Sequence, residues 1–333
     1  MLSVIIPAYN SRPYIGRLLA SIVKQKYEDL EVVIADDCST EPYDDIVDNF
    51  EGKLNIVWTS TEYNCCPGNT RQAGVDAASG DYYVFSDHDD AFYPGVFREV
   101  DKVIKRDRPE VIFTNFVEVE PGTDKVLRKH SKDFGWTHGK FFNAEWWKKH
   151  DLRYKKDLKS HEDIYISTRI DCALRADGIK PYYLPITSYK WTSHPESASR
   201  REDKLFIETH MAEYLQATGY AYLEDYEKRN DIEYSLYRTI SVVLYAYFYH
   251  MGIAFTTRGD MSPDTAVYIK DYIDTVKKTF DMTTEDIVKY STRDEGEFYW
   301  AVMDNAKIAT GAYVPFLTLQ QYLVMLEDET EQT

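Results

Sequence analysis

The sequence has no run approaching the roughly 20 uninterrupted apolar residues a membrane-spanning helix needs, so no span is expected. Cysteine is scarce. There are four, two of them adjacent (Cys65 and Cys66), which gives neither a disulfide framework nor zinc-ligand spacing and fits a reducing compartment. The opening MLSVIIPAYN lacks a basic leader and meets Pro7 after a few apolar residues, so it reads as a buried strand and not as a secretion signal. A cytoplasmic protein is expected, at most peripheral to the inner face of a membrane. Positive charge is also in short supply: 39 Lys and Arg stand against 56 Asp and Glu, a net charge of −17. Residues 201–333 carry 12 basic and 24 acidic side chains, against 27 and 32 in residues 1–200. Such a surface repels nucleic acid and anionic lipid over a Debye length, although a local basic patch can still exist. No internal repeat or low-complexity linker is present. With 44% hydrophobic residues, a chain of 333 can bury a full core as one large domain or two modest ones.

The first 115 residues alternate strand-like and helix-like segments. Strands are expected at Leu2–Pro7, Leu30–Ala35, Leu54–Thr59, Tyr82–Ser86 and Val111–Phe116. Helices are expected over about Pro13–Gln25, capped by Asn10 or Ser11, and over Pro42–Phe50, Gly68–Ala78 and Pro94–Arg106. This alternation argues for an α/β protein built on a parallel sheet with helices on both faces, whose ligands bind at the carboxyl ends of the strands. Polar clusters follow three strands, at Ala8-Tyr9-Asn10, Asp36-Asp37 and Asp87–Asp90, and should converge on one crevice. Residues 117–200 are less regular, with one helix expected from Glu162 to Ala176. Beyond about residue 200, Asp203–Ala217, Asp231–His250, Ser262–Phe280 and Glu297–Thr310 read as amphipathic helices.

The sharpest chemical signal is Asp87-His88-Asp89. Two carboxylates one residue apart on a tight turn can hold a hard divalent cation such as Mn²⁺ or Mg²⁺, which is commonly shared with substrate phosphates. Acidic turns are also common without any ion, so this loop alone decides nothing.

The ordered set of motifs decides more. Ser3–Asn10, Val32–Thr40, Asn69–Gly74, Ser79–Tyr82 leading into Asp87–Asp89, Asp90–Gly95, Gly139–Phe142 and His161-Glu162-Asp163 together resemble the family 2 glycosyltransferases over about residues 1–200. One departure is Cys38, where the family usually has Gly. The resemblance implies a GT-A fold, Rossmann-like with a mostly parallel sheet. It also implies an inverting transferase that uses a nucleotide sugar, with a UDP-sugar as co-substrate.

Carried onto this sequence, the resemblance assigns donor binding to Pro7, Ala8, Tyr9, Asp37, Arg71 and Asp87. Tyr9 can stack on a uracil, Asp37 can accept from its N3–H, and the planar fork of Arg71 suits anionic oxygens. Asp36 can instead cap the following turn. His88 joins the donor loop by position only. Asp89, Asp87 and His194 are the metal candidates, and Ser197, Ser199, Arg200 and Arg201 are further candidates for phosphate contact. Asp163 is the general base that takes the acceptor's proton, while a carboxylate at a helix start is equally a stock cap. Glu162, Trp136, His138 and Trp191 are the acceptor-binding candidates, because aromatic faces pack against the C–H faces of sugars. Trp146 and Trp147 read as core. The Gln-x-x-Arg-Trp motif of processive relatives is absent, so one sugar per encounter is implied.

The expected domains are therefore 1–200, catalytic, with a nucleotide-sugar half to residue 116 and an acceptor half beyond it, and 201–333, helical. The Tyr-rich helices of the second domain serve fold support first and offer a face for a homo-oligomer. The expected acceptor is a glycan or glycan-like polymer, such as a cell-surface polysaccharide or a teichoic-acid-like chain. A nucleotidyltransferase would want a Gly-rich loop where Ala8-Tyr9-Asn10-Ser11 stands. A non-catalytic nucleotide-sugar-binding scaffold would need neither the Asp-x-Asp loop nor Asp163. Transfer to modified bases of viral DNA is disfavoured by the charge.

Overall fold

The computed structural model describes residues 1–156, 158, 160–194, 213–257, 263–293, 297, 299, 302 and 317–328. The chain forms two compact units, Met1–Arg201 and Glu202–Thr333.

The first unit is built on a nine-stranded sheet. Four strands form its parallel part: β1 (Leu2–Ala8), β2 (Leu30–Asp36), β3 (Ile56–Ser60) and β4 (Tyr82–Phe85), in the order β3-β2-β1-β4. Every residue of β1 is buried, as a central strand covered on both faces requires. Leu2, Val4 and Ile6 enter one core with α1 (Ile15–Val23) and α4 (Val96–Asp107). Ile5 enters the other, with α3 (Pro67–Ala77), α5 (Ala144–Lys149) and α6 (Glu162–Asp177). Between β2 and β3 lies a short helix α2 (Asp44–Val47), continued as a 3₁₀ turn to Phe50. Helix α3 lies directly on β1, since a Cβ on Gly74 would fall 2.5 Å from Ile5 Cγ2.

Beyond β4 the sheet changes character. The remaining strands are β5 (Ala91–Phe92), β6 (Val111–Val119), β7 (Val126–His130), β8 (Lys140–Asn143) and β9 (Tyr182–Thr192). β8 runs antiparallel to both β4 and β6, and β9 runs parallel to β6 along its other edge. β7 pairs antiparallel with the far end of β6. The region that looked irregular in sequence therefore completes the sheet, which is mixed. Trp146 and Trp147 are core, at 3% and 1% exposure.

The cap expected at the start of α1 is absent. Tyr14 occupies that position and makes no side-chain cap. Asn10 instead turns its Oδ1 across to accept from the backbone N–H of Thr40 (2.9 Å), which staples two strand-end loops together.

In the second unit, helices run over Tyr220–Arg229, Ile232–Thr257, Pro263–Phe280, Thr284–Ser291 and Leu319–Asp328. Tyr272 is fully buried there, and Thr283 opens its helix with a reciprocal capping box to Asp286. Most of the expected helices Asp203–Ala217 and Glu297–Thr310 lies outside the described residues. No helix among the described residues is long and apolar enough to cross a membrane.

Candidate active site

The loops after β1, β2 and β4 meet at one end of the sheet. The loop after β1 approaches the one after β2 closely enough for the Asp37 N–H to donate to the Ala8 carbonyl at 2.8 Å. Tyr9 stands exposed at the rim (43%), free to take a planar ring. Asp36 and Asp37 divide their work. Asp36 accepts from Ser39 N–H (2.9 Å), Ser39 Oγ (2.6 Å) and Tyr43 OH (2.8 Å), so it is the turn-former. Asp37 is buried, and its Oδ1 accepts from Thr61 Oγ1 at 2.7 Å. Among the described residues its Oδ2 is met only by the Cys65 N–H at 3.3 Å and keeps accepting capacity.

Arg71, on α3, is the hub of the site. It is 4% exposed, and its guanidinium donates to Asp87 Oδ1 at 2.7 Å and to Glu162 Oε1 at 2.5 Å. Its Nε–H is buried and makes no hydrogen bond among the described residues. Burial alone would lower the Arg71 pKa, but the charges of Asp163, Asp87 and Glu162 hold it well above the ordinary value. The converse holds at Asp87, where burial is outweighed by Arg71 and His138 and the carboxyl stays below its usual range. Glu162 goes up, because its burial and the adjacent Asp163 outweigh Arg71.

The Asp87–Asp90 loop is fixed from several sides. His88 Nδ1 lies 3.3 Å from the Pro7 carbonyl, so the middle residue of the motif ties this loop to the end of β1. Asp90 is fully buried and accepts from Tyr189 OH (2.5 Å) and the Thr192 N–H (2.7 Å). Arg17, on α1, donates to the Asp89 carbonyl and to Thr192 Oγ1. Asp89 itself is pushed up by burial and by the charge of Asp87. His194 Nε2 is buried, sits 3.4 Å from Asp89 Oδ2 and makes no hydrogen bond among the described residues. A carboxylate beside an unused imidazole nitrogen can hold a divalent cation, and the mixed oxygen and nitrogen set suits Mn²⁺ better than Mg²⁺, which takes oxygen ligands. Among the described residues the trio whose ligand atoms all lie within 4.8 Å of one another is not the expected Asp87, Asp89 and His194 but Asp87, Asp90 and His138.

On the acceptor side, Asp163 lies in the first turn of α6, 7% exposed, with Oδ1 accepting from Thr137 Oγ1 at 3.0 Å. His161 occupies the N-cap position in a left-handed conformation (φ 61°), so Asp163 is not the cap. His138 is buried rather than in an open loop. It stacks between Tyr189 (5.0 Å) and Trp136 (6.0 Å), and its Nε2 lies 4.0 Å from Asp87 Oδ2. Burial pulls its pKa down. Trp136 and Trp191 are half-buried and in ring contact at 5.0 Å. Ser197, Ser199, Arg200 and Arg201 lie outside the described residues.

The structure thus brings together Pro7, Asp37, Arg71, the Asp87–Asp89 loop, His194, Glu162 and Asp163. Glu162 faces Arg71. Sequence reasoning missed Arg17, Thr137 and Tyr189. Nothing in the sequence sets Arg17 apart from the rest of its helix, and Thr137 and Tyr189 stand beside motif residues without a spacing that singles out their hydroxyls.

A family model described as Glycosyl transferase family 2 matches residues 3–169. The poly(ribitol-phosphate) beta-N-acetylglucosaminyltransferase TarS of Staphylococcus aureus is 29% identical over 175 residues, 48% of this chain and 30% of that protein. An uncharacterised glycosyltransferase of Haemophilus influenzae is 33% identical over 113 residues, 34% of this chain and 37% of that protein. These matches therefore span only about a third of either relative's length. The crystal structure of S. aureus TarS 1–349 in complex with UDP-GlcNAc aligns with a TM-score of 0.62 at 20% identity, over 95% of this chain and 93% of that one. At that identity the likeness speaks for the fold, a GT-A domain followed by helices.

Proposed function

Because the chain belongs to glycosyl transferase family 2, we propose that it moves a single sugar, with inversion, from a UDP-sugar to a hydroxyl of a glycan-like polymer. The observation that carries this reading is the shared guanidinium of Arg71. It links the Asp-x-Asp loop through Asp87 to the helix that bears Asp163 through Glu162. Donor end and base end are thereby held in one electrostatic unit.

In this reading Tyr9, Pro7 and Ala8 form the platform for the base, and Asp37 Oδ2 accepts its N–H. Asp89 and His194, with Asp87 beside them, would hold a divalent cation. When bound, that cation offsets diphosphate charge and stabilises the departing UDP. Asp163 takes the proton of the attacking hydroxyl while Thr137 fixes its rotamer, and a positioned carboxylate of this kind contributes about 10² to 10⁴ in rate. Trp136 and Trp191 offer the acceptor sugar an aromatic wall. The names of the relatives support the donor and acceptor classes: TarS has been crystallised with UDP-GlcNAc and is named for transfer to poly(ribitol phosphate). Residues 1–200 form the catalytic domain in this reading. The helical unit, through exposed residues such as Val267, Tyr268 and Val324, offers apolar surface for self-association.

The test is calorimetric titration of UDP into metal-free protein, with and without Mn²⁺, beside GDP and dTDP. The expected result is UDP binding that requires Mn²⁺ and is lost in Asp89→Ala. Absence of UDP binding in both conditions would overturn the donor assignment.

A further inference from the structure

Residues 125–132 read Lys-Val-Leu-Arg-Lys-His-Ser-Lys: four permanent cations and no acid, in a chain of net charge −17. They form strand β7 and its flanks. Lys125, Arg128, Lys129 and Lys132 are all exposed. Elsewhere on the first unit many cations are paired, as Arg12 is with Asp45, Lys105 with Asp101 and Lys190 with Asp124. No ion pair to a carboxylate is found among the described residues for any of the four on β7. Of the acids around them, Asp124 turns to Lys190, Asp133 to His130 and the Gly135 N–H, and Glu120 to Thr123 Oγ1, while Glu118, the cross-strand neighbour of Arg128, is buried where Arg128 is exposed.

The register says where these charges point. Glu118 of β6 is in register with Arg128 on one side and with Trp191 on the other, and Phe116 is likewise in register with His130 and Tyr189. Residues in register across a sheet project from the same face. Arg128 therefore lies on the face that carries Trp191 and Tyr189, two strand spacings, or about 10 Å, from Trp191. His130 is already part of that surface, stacked on Phe116 at 4.3 Å and 6.3 Å from Trp191. β7 and β8 also occupy successive stretches of the same edge of β6, and β8 is the strand paired to β4. β7 consequently lies beyond the point where β4 ends in the Asp87–Asp90 loop, at the rim of the crevice.

We propose that the β7 edge is an acceptor track for a polyanion: Arg128, assisted by Lys125, Lys129 and Lys132, holds phosphate groups of a phosphodiester-linked polymer whose reacting unit lies against Trp136 and Trp191. The charge balance requires a device of this kind, because a strongly acidic protein repels such a polymer unless cations meet it at the site. A membrane surface fits less well. An element that lies in a bilayer interface separates its apolar side from its basic side. Here the register shift between Glu118 and Val119 pairs Val126 with Val119, on the face that Val117 shares with Lys129, so an apolar and a basic side chain stand on one face. The inference rests on the transferase reading for what lies in the crevice, and the experiment separates the two.

The intact chain is titrated with poly(ribitol phosphate), with uncharged dextran, and with vesicles of phosphatidylglycerol and phosphatidylcholine in equal parts. UDP with Mn²⁺ is titrated in parallel. Binding of the phosphate polymer but not dextran is expected. The affinity should fall at least about tenfold in Lys125→Gln/Arg128→Gln/Lys129→Gln/Lys132→Gln, with the log–log salt slope reduced by up to about 0.7 per cation removed. Arg128→Gln alone should cost more than Lys129→Gln alone, because only Arg128 shares the face of Trp191. UDP affinity should not change in any of them. Equal polymer binding by the parent and the fourfold variant would overturn the proposal. So would absence of polymer binding in the parent, or charge-dependent binding confined to vesicles. Loss of UDP binding in the parent with polymer binding intact would sink the donor reading and leave this one standing.

Discussion

Arg71 and Glu162 are 91 residues apart in sequence and 2.5 Å apart in space. Asp87 takes the other terminal nitrogen of the same guanidinium. Removing the cation would leave buried carboxylates facing one another without compensation. Breaking a buried pair in this way costs on the order of 3–5 kcal/mol. Arg71→Met should therefore lower the chemical-denaturation midpoint by an amount of that size and abolish UDP binding. Arg71→Lys keeps the charge but loses the fork. It should recover part of the stability and little of the binding. An Arg71→Met protein with parental stability and UDP affinity would remove this residue from the centre of the site.

Asp163 is held by Thr137 at 3.0 Å and is not the helix cap, so Asp163→Asn should leave α6 and donor binding in place. Transfer to acceptor should fall by about 10² to 10⁴. Single-turnover transfer beside UDP titration measures both. Parental turnover in the Asn variant would mean that another group takes the proton.

The parallel half of the fold is legible in the sequence because β1, β2 and β4 are short, uniformly buried runs, each followed by a polar cluster and a periodic helix. The outer half is not. β7 is exposed along most of its length, with no apolar alternation to read, and β9 carries Pro185 inside eleven residues of mixed polarity. Its partner, β6, lies some 70 residues earlier in the chain, a pairing that no local pattern encodes. The site divides along the same line. Asp87 and Asp89 can be found because they are neighbours in sequence. The hold of Arg17 on the Asp89 carbonyl and the burial of His138 between two rings exist only once the sheet is closed.

Glu31 is a structural carboxylate, 2% exposed, and joins three elements. It accepts from Ser3 Oγ (2.6 Å), the Ser79 N–H (2.6 Å), Ser79 Oγ (2.8 Å) and the Gly80 N–H (3.1 Å). Burial works against ionisation, but these donors outweigh it and hold the carboxyl below its ordinary 4.5. A depressed folded-state pKa contributes stability above the unfolded value, and that contribution is lost as pH falls through 4.5 and toward the folded value. Glu31→Gln should be less stable than the parent at pH 7, by about 1–3 kcal/mol. The difference should narrow in denaturation curves taken at successively lower pH.

Lys140 presents the opposite case. It is 3% exposed, its ammonium lies over the Phe113 ring at 5.0 Å, and its Nζ makes no hydrogen bond among the described residues. Burial pushes its pKa down from 10.5 to about 8, against the pull of Asp133 and Asp163. Below the folded-state value, the protein keeps a cation that the unfolded chain would solvate better. The unfolded state holds its proton more tightly, so stability rises with pH between about 8 and 10.5 as the folded lysine sheds its charge. Near pH 7 the buried charge costs the fold on the order of 3 kcal/mol at 1.36 kcal/mol per pH unit. Lys140→Met preserves the apolar stem and removes the ammonium. It should be more stable than the parent at pH 7, and the advantage should shrink as pH rises past 8 toward 10.5. Denaturant midpoints of both proteins, measured over that range, decide the point. A methionine variant less stable than the parent at pH 7 would show that the ammonium is held by attractions stronger than its burial, with Asp133 and then Asp163 the groups to test.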